Sequence, residues 1–358
     1  MEERKIFIDI DELKSGMVLA QHIVNKNGVF LLFEGFEFKE IEKIKEMLLS
    51  HNIHNLKVIV KEGMDDTYTK EYFQIYDFRQ NMNELINDIK HKFYCIESGE
   101  EVNREDFEKT IEIAIRSCNG SVSLFKLMNK IKDMEDYIYM HSMNSSLISY
   151  QIGKWLDLKE EELKELTLSA ILSDLGKMKV SKEIINKPNI LTYEEYLEVK
   201  KHSIFGYKLI KGSNCINNKI KRAVLEHHER IDGSGYPRGI KGDEISLYAK
   251  IIGIADVYSA LTSKRPHRDR NTPFEAIKIL EEEFVSKLDT KILYLFLKKV
   301  AAEYLGSEII LNDGRTAKIV FIPSQNICKP LIEMEENGEV VDLGSNQNSK
   351  LYIKEFIL

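Results

Sequence analysis

The chain has 358 residues, 43% apolar and 30% charged, an ordinary balance for a globular protein with length for two or three domains. Its net charge of −7 provides no whole-molecule attraction to nucleic acid, so DNA is not an expected partner and any anionic ligand needs a local basic patch. No apolar run approaches the roughly 18 residues of a membrane span, and the charged start Met1-Glu2-Glu3-Arg4-Lys5 is unlike a signal peptide, so a cytoplasmic protein is expected.

Ile6, Ile8 and Ile10 recur at period 2, the spacing of a half-buried strand. Asn27-Gly28, set between residues 18–24 and 29–33, predicts a hairpin turn. Ile41, Ile44, Met47 and Leu48 follow helical spacing, and residues 56–60 read as a closing strand, so residues 1–62 form a small α+β module. Residues 63–119 are charged, helix-prone and without proline, and predict connecting helices broken at Ser98-Gly99. Residues 120–305 read almost wholly as helix, with apolar positions such as Ile148, Ile152 and Trp155 at i, i+4 and i+7. After Ser307 the pattern changes. Residues 309–311 and 316–322 flank the turn Asn312-Asp313-Gly314, and Glu336-Asn337-Gly338 precedes Val340-Val341, so residues 306–358 read as a β-rich extension. The expected fold is therefore mainly α, with a small α+β module before the helical core and a small β-rich appendage after it. The four cysteines, Cys95, Cys118, Cys215 and Cys328, are far apart in sequence and read as reduced, buried thiols, which excludes a zinc ribbon.

Two carboxylates stand in unusually apolar helical sequence. Asp174 ends Leu168-Ser169-Ala170-Ile171-Leu172-Ser173-Asp174, and Asp256 lies in Ile251-Ile252-Gly253-Ile254-Ala255-Asp256-Val257. An ionised carboxylate in such surroundings needs a cation. His141 opens an apolar helix running to Trp155, and His202 follows a charged helix at residues 193–201. His227 and His228 are adjacent and lead into Glu229-Arg230-Ile231-Asp232-Gly233-Ser234-Gly235-Tyr236-Pro237. There Asp-Gly and Ser-Gly make turns, glycine permits close approach, and Pro237 fixes the exit direction. Imidazole nitrogens with carboxylate oxygens suit a divalent ion that must activate water. The most basic short segment, Lys264-Arg265-Pro266-His267-Arg268-Asp269-Arg270, follows the Asp256 helix and offers planar guanidinium forks to phosphate. Each of these residues alone has a plainer reading, as a packed histidine, a helix cap or a solvated basic loop. His22, His51, His54, His91 and His267 keep that plainer reading.

In order and spacing, these residues and the Gly-Tyr-Pro loop resemble the HD-GYP family, a branch of the HD phosphohydrolases that hydrolyses cyclic dinucleotides, chiefly cyclic di-GMP. The resemblance covers residues 120–305 and implies an HD-type helical bundle. It implies one or two divalent transition-metal ions, with iron or manganese favoured. His141, Asp174 and Asp256 would hold one ion, and Asp174, His202, His227 and His228 the other. It further implies Asp174 and Lys177 as catalytic residues, Lys177, Tyr236, Arg265 and Arg268 as substrate contacts, and opening of cyclic di-GMP to pGpG and on to GMP. The pattern Leu13-x-x-Gly16-Met17-x-Leu19-Ala20 is similar to a module found ahead of such domains. Two positions depart from the family. Ser173 stands where the family has the histidine of its His-Asp doublet, leaving the first ion one protein ligand short. Tyr137 stands where some members carry a glutamate for a third ion, so no third ion is expected. The alternative reading is a degenerate module that binds a cyclic dinucleotide or a protein partner without turnover. Self-association or a signalling-protein partner is left open.

Overall fold

Ile6 and Ile8 are buried while Phe7 between them is exposed, the alternation a strand imposes on its side chains. The computed structural model describes residues 4–24, 30–39, 41–60, 66–101, 104–119, 122–130, 137–187, 189–263, 270–348 and 350–357. It divides into two compact units, Met1–Tyr76 and Asp77–Leu358.

In the first unit, strand β1 (Arg4–Asp9) pairs antiparallel with β5 (Asn55–Val60), placing Ile6 opposite Val58 and Ile8 opposite Leu56. Asp9 then turns the chain through a capping box with Glu12. Residues 18–24, expected as one strand, are two. β2 (Val18–Leu19) joins β5, whereas β3 (Ile23–Val24) pairs with β4 (Phe30–Leu32). The split arises because Leu19 continues the buried face opposite Val58, while Ile23 lies opposite Leu32 in a second ladder. The expected Asn27-Gly28 turn lies outside the described residues. Helix α1 (Ile41–Ser50) contributes Leu48 to the small core of Ile8, Leu19, Phe38, Leu56 and Val58. In the pattern noted above, Leu13, Met17, Leu19 and Ala20 are buried, and Gly16 takes φ +87°, a conformation that favours glycine.

Helix α2 (Asp66–Glu97) ends at the expected Ser98-Gly99 break, where Gly99 has φ +103°. The second unit continues with α3 (Glu105–Ser117), α4 (Leu124–Lys130), α5 (Tyr137–Trp155), α6 (Glu160–Ser173), α7 (Lys182–Ile185), α8 (Tyr193–Lys200) and α9 (His202–Ile210). Helices α10 (Asn218–Glu226), α11 (Leu247–Thr262), α12 (Pro273–Glu283) and α13 (Thr290–Ala302) complete the bundle. Many starts are written locally. Thr192, Asn217, Ser246, Thr272 and Asp289 each accept a backbone N–H at the head of their helix, and Pro273 follows its cap directly. Helix α5 begins at Tyr137, one turn ahead of the expected start at His141. It is buried on nearly every face because α6 and α11 both pack against it.

The C-terminal residues form an antiparallel five-stranded sheet in the order β10-β6-β7-β8-β9. Its strands are β6 (Glu308–Leu311), β7 (Thr316–Phe321), β8 (Leu331–Met334), β9 (Val340–Asp342) and β10 (Ile353–Ile357). The two expected hairpin turns are present, with Gly314 and Gly338 at positive φ. Ile309, Leu311, Ala317 and Ile332 on this sheet share one apolar core with Ile254, Leu293 and Phe296 of the bundle. Each fully buried Ile, Leu or Phe among them contributes roughly 1.5–3 kcal/mol. All four cysteines are free, but the expectation of buried thiols is not met: Cys95, Cys118 and Cys328 are only partly buried, and Cys215 is exposed in the loop ahead of the Asn217 cap.

Candidate metal centre

The site forms where α6, α9, α10 and α11 converge beside α5. Asp174 caps the C-terminus of α6, at φ −93° and ψ 0°, where the chain passes from α-helix into the 3₁₀ turn Leu175–Lys179. That change of winding brings Lys177 back over Asp174, and its Nζ donates to Oδ2 at 2.7 Å. Gly176 makes the turn possible. A Cβ built there would stand 1.8 Å from the His202 carbonyl oxygen, so only glycine lets α9 approach this closely.

Two histidines meet head to head. His202 Nδ1 lies 2.7 Å from the Val199 carbonyl, and His227 Nδ1 lies 2.8 Å from that of Val224. A carbonyl only accepts, so both Nδ1 atoms carry the proton and both Nε2 atoms are bare in the neutral ring. These Nε2 atoms face one another at 3.2 Å. Burial lowers the pKa of His202 to about 3 and also lowers those of His227 and His228, so protonation does not relieve the repulsion. Ligand atoms of His202, His227 and His228 all lie within 4.8 Å of one another.

The carboxylates face the same point. Asp174 is buried, its Oδ1 is 3.6 Å from His202 Nε2, and among the described residues that oxygen has no hydrogen-bond partner. Burial alone would raise its pKa, but Lys177, His141 and His202 hold it down at about 2, so the group is a carboxylate. Asp256 also resists burial. His141 and the other imidazoles keep its pKa well below the usual carboxylate range. Its Oδ1 is 2.7 Å from His141 Nε2 and its Oδ2 is 3.9 Å from His228 Nδ1. Because ionised Asp256 can only accept, His141 donates to it through Nε2, and the other ring nitrogen, Nδ1, lies 3.0 Å from the Ser259 hydroxyl. His141 Nε2 also lies 3.8 Å from Asp174 Oδ2.

This donor set fits a divalent ion. Two bare imidazole nitrogens in contact, and a buried carboxylate oxygen without a partner, are each costly without a cation and satisfied together by one. Sulfur is absent from the set, and the nitrogen and oxygen donors match a catalytic rather than a structural zinc-type site.

Of the residues singled out in the sequence, His141, Asp174, Lys177, His202, His227, His228 and Asp256 are thus brought together. Tyr236 joins them, its ring stacked on His228 at 4.7 Å and edge-on to His202 at 6.3 Å. Arg265 and Arg268 lie outside the described residues. The Ser173 hydroxyl is buried and donates back to the Ala170 carbonyl at 2.8 Å, within its own helix. Tyr137 stacks on His141 at 5.7 Å.

Two contributors, Glu226 and Ser259, escaped the sequence reading, whereas Glu229 and Gly235 lie in the loop motif it singled out. Glu226 is buried and binds Arg222, Arg238 and the Ser246 N–H, while Glu229 accepts from the Arg238 and Ile240 N–H groups. These two acids, which flank the His pair, hold the far end of the glycine loop at residues 238–246. Gly235 belongs to the same packing, since a Cβ there would strike Glu229 and Arg230 backbone. Ser259 had a usable signal. It follows Asp256 by three positions and so shares its helix face.

Residues 127–292 match the HD domain family. That stretch of the chain is therefore similar to an HD domain. Several curated proteins align with the chain. A cyclic di-GMP phosphodiesterase of Pseudomonas aeruginosa is 31% identical over 238 residues, covering 64% of this chain and 56% of that one. A cyclic di-GMP phosphodiesterase of Borreliella burgdorferi is 31% identical, covering 58% of this chain and 55% of its own length. A 3′3′-cGAMP-specific phosphodiesterase of Vibrio cholerae is 32% identical, covering 51% and 43%. The chain therefore spans about half the length of the relatives it matches.

Proposed function

We propose that this protein is a metal-dependent phosphodiesterase that hydrolyses cyclic di-GMP to pGpG and then GMP. The observation that carries the reading is the pair of bare Nε2 atoms of His202 and His227, 3.2 Å apart beside the partnerless Oδ1 of Asp174. His202, His227, His228 and Asp174 would hold one ion, and His141, Asp174 and Asp256 a second, with iron or manganese preferred by these donors. When bound, such an ion supplies Lewis acidity toward water and the phosphoryl oxygens. Relatives named for cyclic di-GMP and 3′3′-cGAMP support a cyclic dinucleotide as substrate.

The chain's own residues then have separate tasks. Lys177 remains an ammonium, because Asp174, Tyr137 and Asp256 outweigh the effect of its burial. It neutralises charge growing on the phosphate oxygens as water adds to phosphorus and the bond to the 3′ oxygen breaks. Tyr236 walls the site, with a phenol that burial pushes above its ordinary pKa, so it stays neutral and hydrogen-bonding. Arg265 and Arg268 are proposed as further phosphate contacts from their sequence position.

A second reading, binding without turnover, is favoured by one observation. The Ser173 hydroxyl is committed to the Ala170 carbonyl, so the site with His141 and Asp256 has one protein donor fewer than a His-Asp doublet supplies. Elemental analysis after anaerobic purification, with a cyclic di-GMP turnover assay, tests both. About one to two ions per chain and release of pGpG are expected, and joint replacement of His227 and His228 by alanine removes metal and turnover together. A folded protein with no metal refutes the metal centre, and a metal-loaded protein that binds without cleaving establishes the second reading.

A further inference from the structure

Lys200 is a cation beside the site that nothing above employs. It is the last residue of α8, two positions before His202. Its Nζ lies 4.7 Å from the centroid of the Tyr236 ring and 5.3 Å from that of Tyr196. Tyr236 is itself stacked on His228 at 4.7 Å. A single aromatic ring therefore connects this ammonium to the imidazole cluster.

Neighbouring lysines are already committed. Lys177 pairs with Asp174 at 2.7 Å, Lys187 with Glu195 at 2.6 Å and Lys201 with Glu198 at 2.6 Å. Among the described residues Lys200 has no carboxylate partner within 4.0 Å. Two ring faces hold the charge in place, but they leave its three N–H donors without strong acceptors. A half-buried ammonium fixed in this way is preset for an anion arriving from solvent.

A cyclic dinucleotide carries two phosphodiesters, each with one negative charge. The imidazole and carboxylate cluster with Lys177 deals with the one that reacts. The other must be neutralised elsewhere on the wall of the site, and Tyr236 with Lys200 forms part of that wall. We propose that Lys200 binds the second, non-reacting phosphate of the cyclic dinucleotide and is a specificity-determining residue for a ligand with two phosphates. Tyr196 and Tyr236 serve as the cradle that fixes its ammonium. This inference rests on the cyclic dinucleotide reading above.

The test compares the parent protein, loaded with Mn²⁺, with Lys200→Met and Lys200→Arg. Equilibrium binding of cyclic di-GMP and of Mn²⁺ alone is measured by calorimetry. Methionine keeps an apolar stem against both rings but removes the charge, and arginine restores a cation. Lys200→Met is expected to weaken cyclic di-GMP binding about tenfold, the effect of one lost charged contact, while Lys200→Arg stays within about threefold of the parent. Mn²⁺ affinity is expected to be the same in all three proteins. Equal cyclic di-GMP affinity in parent and Lys200→Met overturns the inference. So does a loss accompanied by weaker Mn²⁺ binding, which marks Lys200 as a support for the Tyr236 ring on His228. If the parent binds no cyclic di-GMP, the dinucleotide reading fails and takes this inference with it, a result distinct from the other two.

Discussion

Gly176→Ala is the most exposing single change, because it adds one methyl group at the point where the Asp174 turn meets α9. The new Cβ would lie 1.8 Å from His202 O, 2.4 Å from Gly206 N and 2.8 Å from His202 C. All three are backbone atoms, so no side chain can swing aside. Carbon and oxygen do not approach much closer than 3.0 Å, so α9 must retreat from the turn by about 1 Å or more. Overpacking of this kind costs roughly 1–3 kcal/mol, and a contact made wholly with backbone belongs at or above the upper end. The same retreat carries His202 away from His227 and Asp174, and a misplacement of about 1 Å at a reacting centre costs on the order of 100-fold in rate. Gly212→Ala is the matched control, since a Cβ there meets nothing within 4 Å. It is expected within about 0.5 kcal/mol of the parent. Urea unfolding of the two variants, with metal content and turnover on the same preparations, measures all three effects. If Gly176→Ala matches Gly212→Ala in stability and keeps its metal, the close approach of α9 to the Asp174 turn is wrong, and the site geometry with it.

Other outcomes follow from the same structure. In metal-free protein, burial takes the pKa of His202 from 6.5 to about 3, so below pH 6.5 the unfolded chain binds a proton that the folded chain refuses. Stability is therefore whole above pH 6.5 and falls as pH drops toward 3. Between pH 7.5 and 5 the loss is about 2 kcal/mol from His202 alone, readable as a lower urea midpoint in chelator, and a midpoint that holds or rises at pH 5 contradicts the neutral buried imidazole. Ser173→His is expected to raise metal occupancy beside His141 and Asp256, measured by elemental analysis, with thermal unfolding to detect a packing cost of roughly 1–3 kcal/mol. Unchanged occupancy in a stable variant means that Ser173 does not limit the site. Cys215 is exposed, whereas burial pushes the Cys118 thiol up to about 12. Iodoacetamide at pH 8 should therefore label Cys215 well before Cys118 in peptide mass spectra, and labelling of Cys118 first refutes that burial.

Much of this protein is local and so readable along the chain. Strand alternation at Ile6 and Ile8, the turns at Gly314 and Gly338, and the caps at Thr192 and Thr272 involve residues a few positions apart. The apolar setting of Asp174 and Asp256 and the adjacency of His227 and His228 were equally plain, because a carboxylate inside a hydrophobic helix has few explanations. Even the Nδ1 protonation of His202 and His227 is local, set by carbonyls three residues back in the same turn. Local signals failed where a residue could serve either of two neighbours. Residues 18–24 carry strand character throughout, yet pairing sends Leu19 to one ladder and Ile23 to another.

The sequence by itself determined which residue types were available to bind a cation and where helices and hairpins begin. Only the tertiary structure decided that they converge. His141 meets Asp256 across 115 positions, and Glu165 meets Tyr248 across 83. The Ser173 hydroxyl turns back to Ala170, and the Lys200 ammonium rests over a ring 36 positions further along. Helical and strand periodicity act over about one turn, so they fix which face a residue occupies. Which other face it meets depends on packing many apolar side chains at once, and no short window of sequence contains that information.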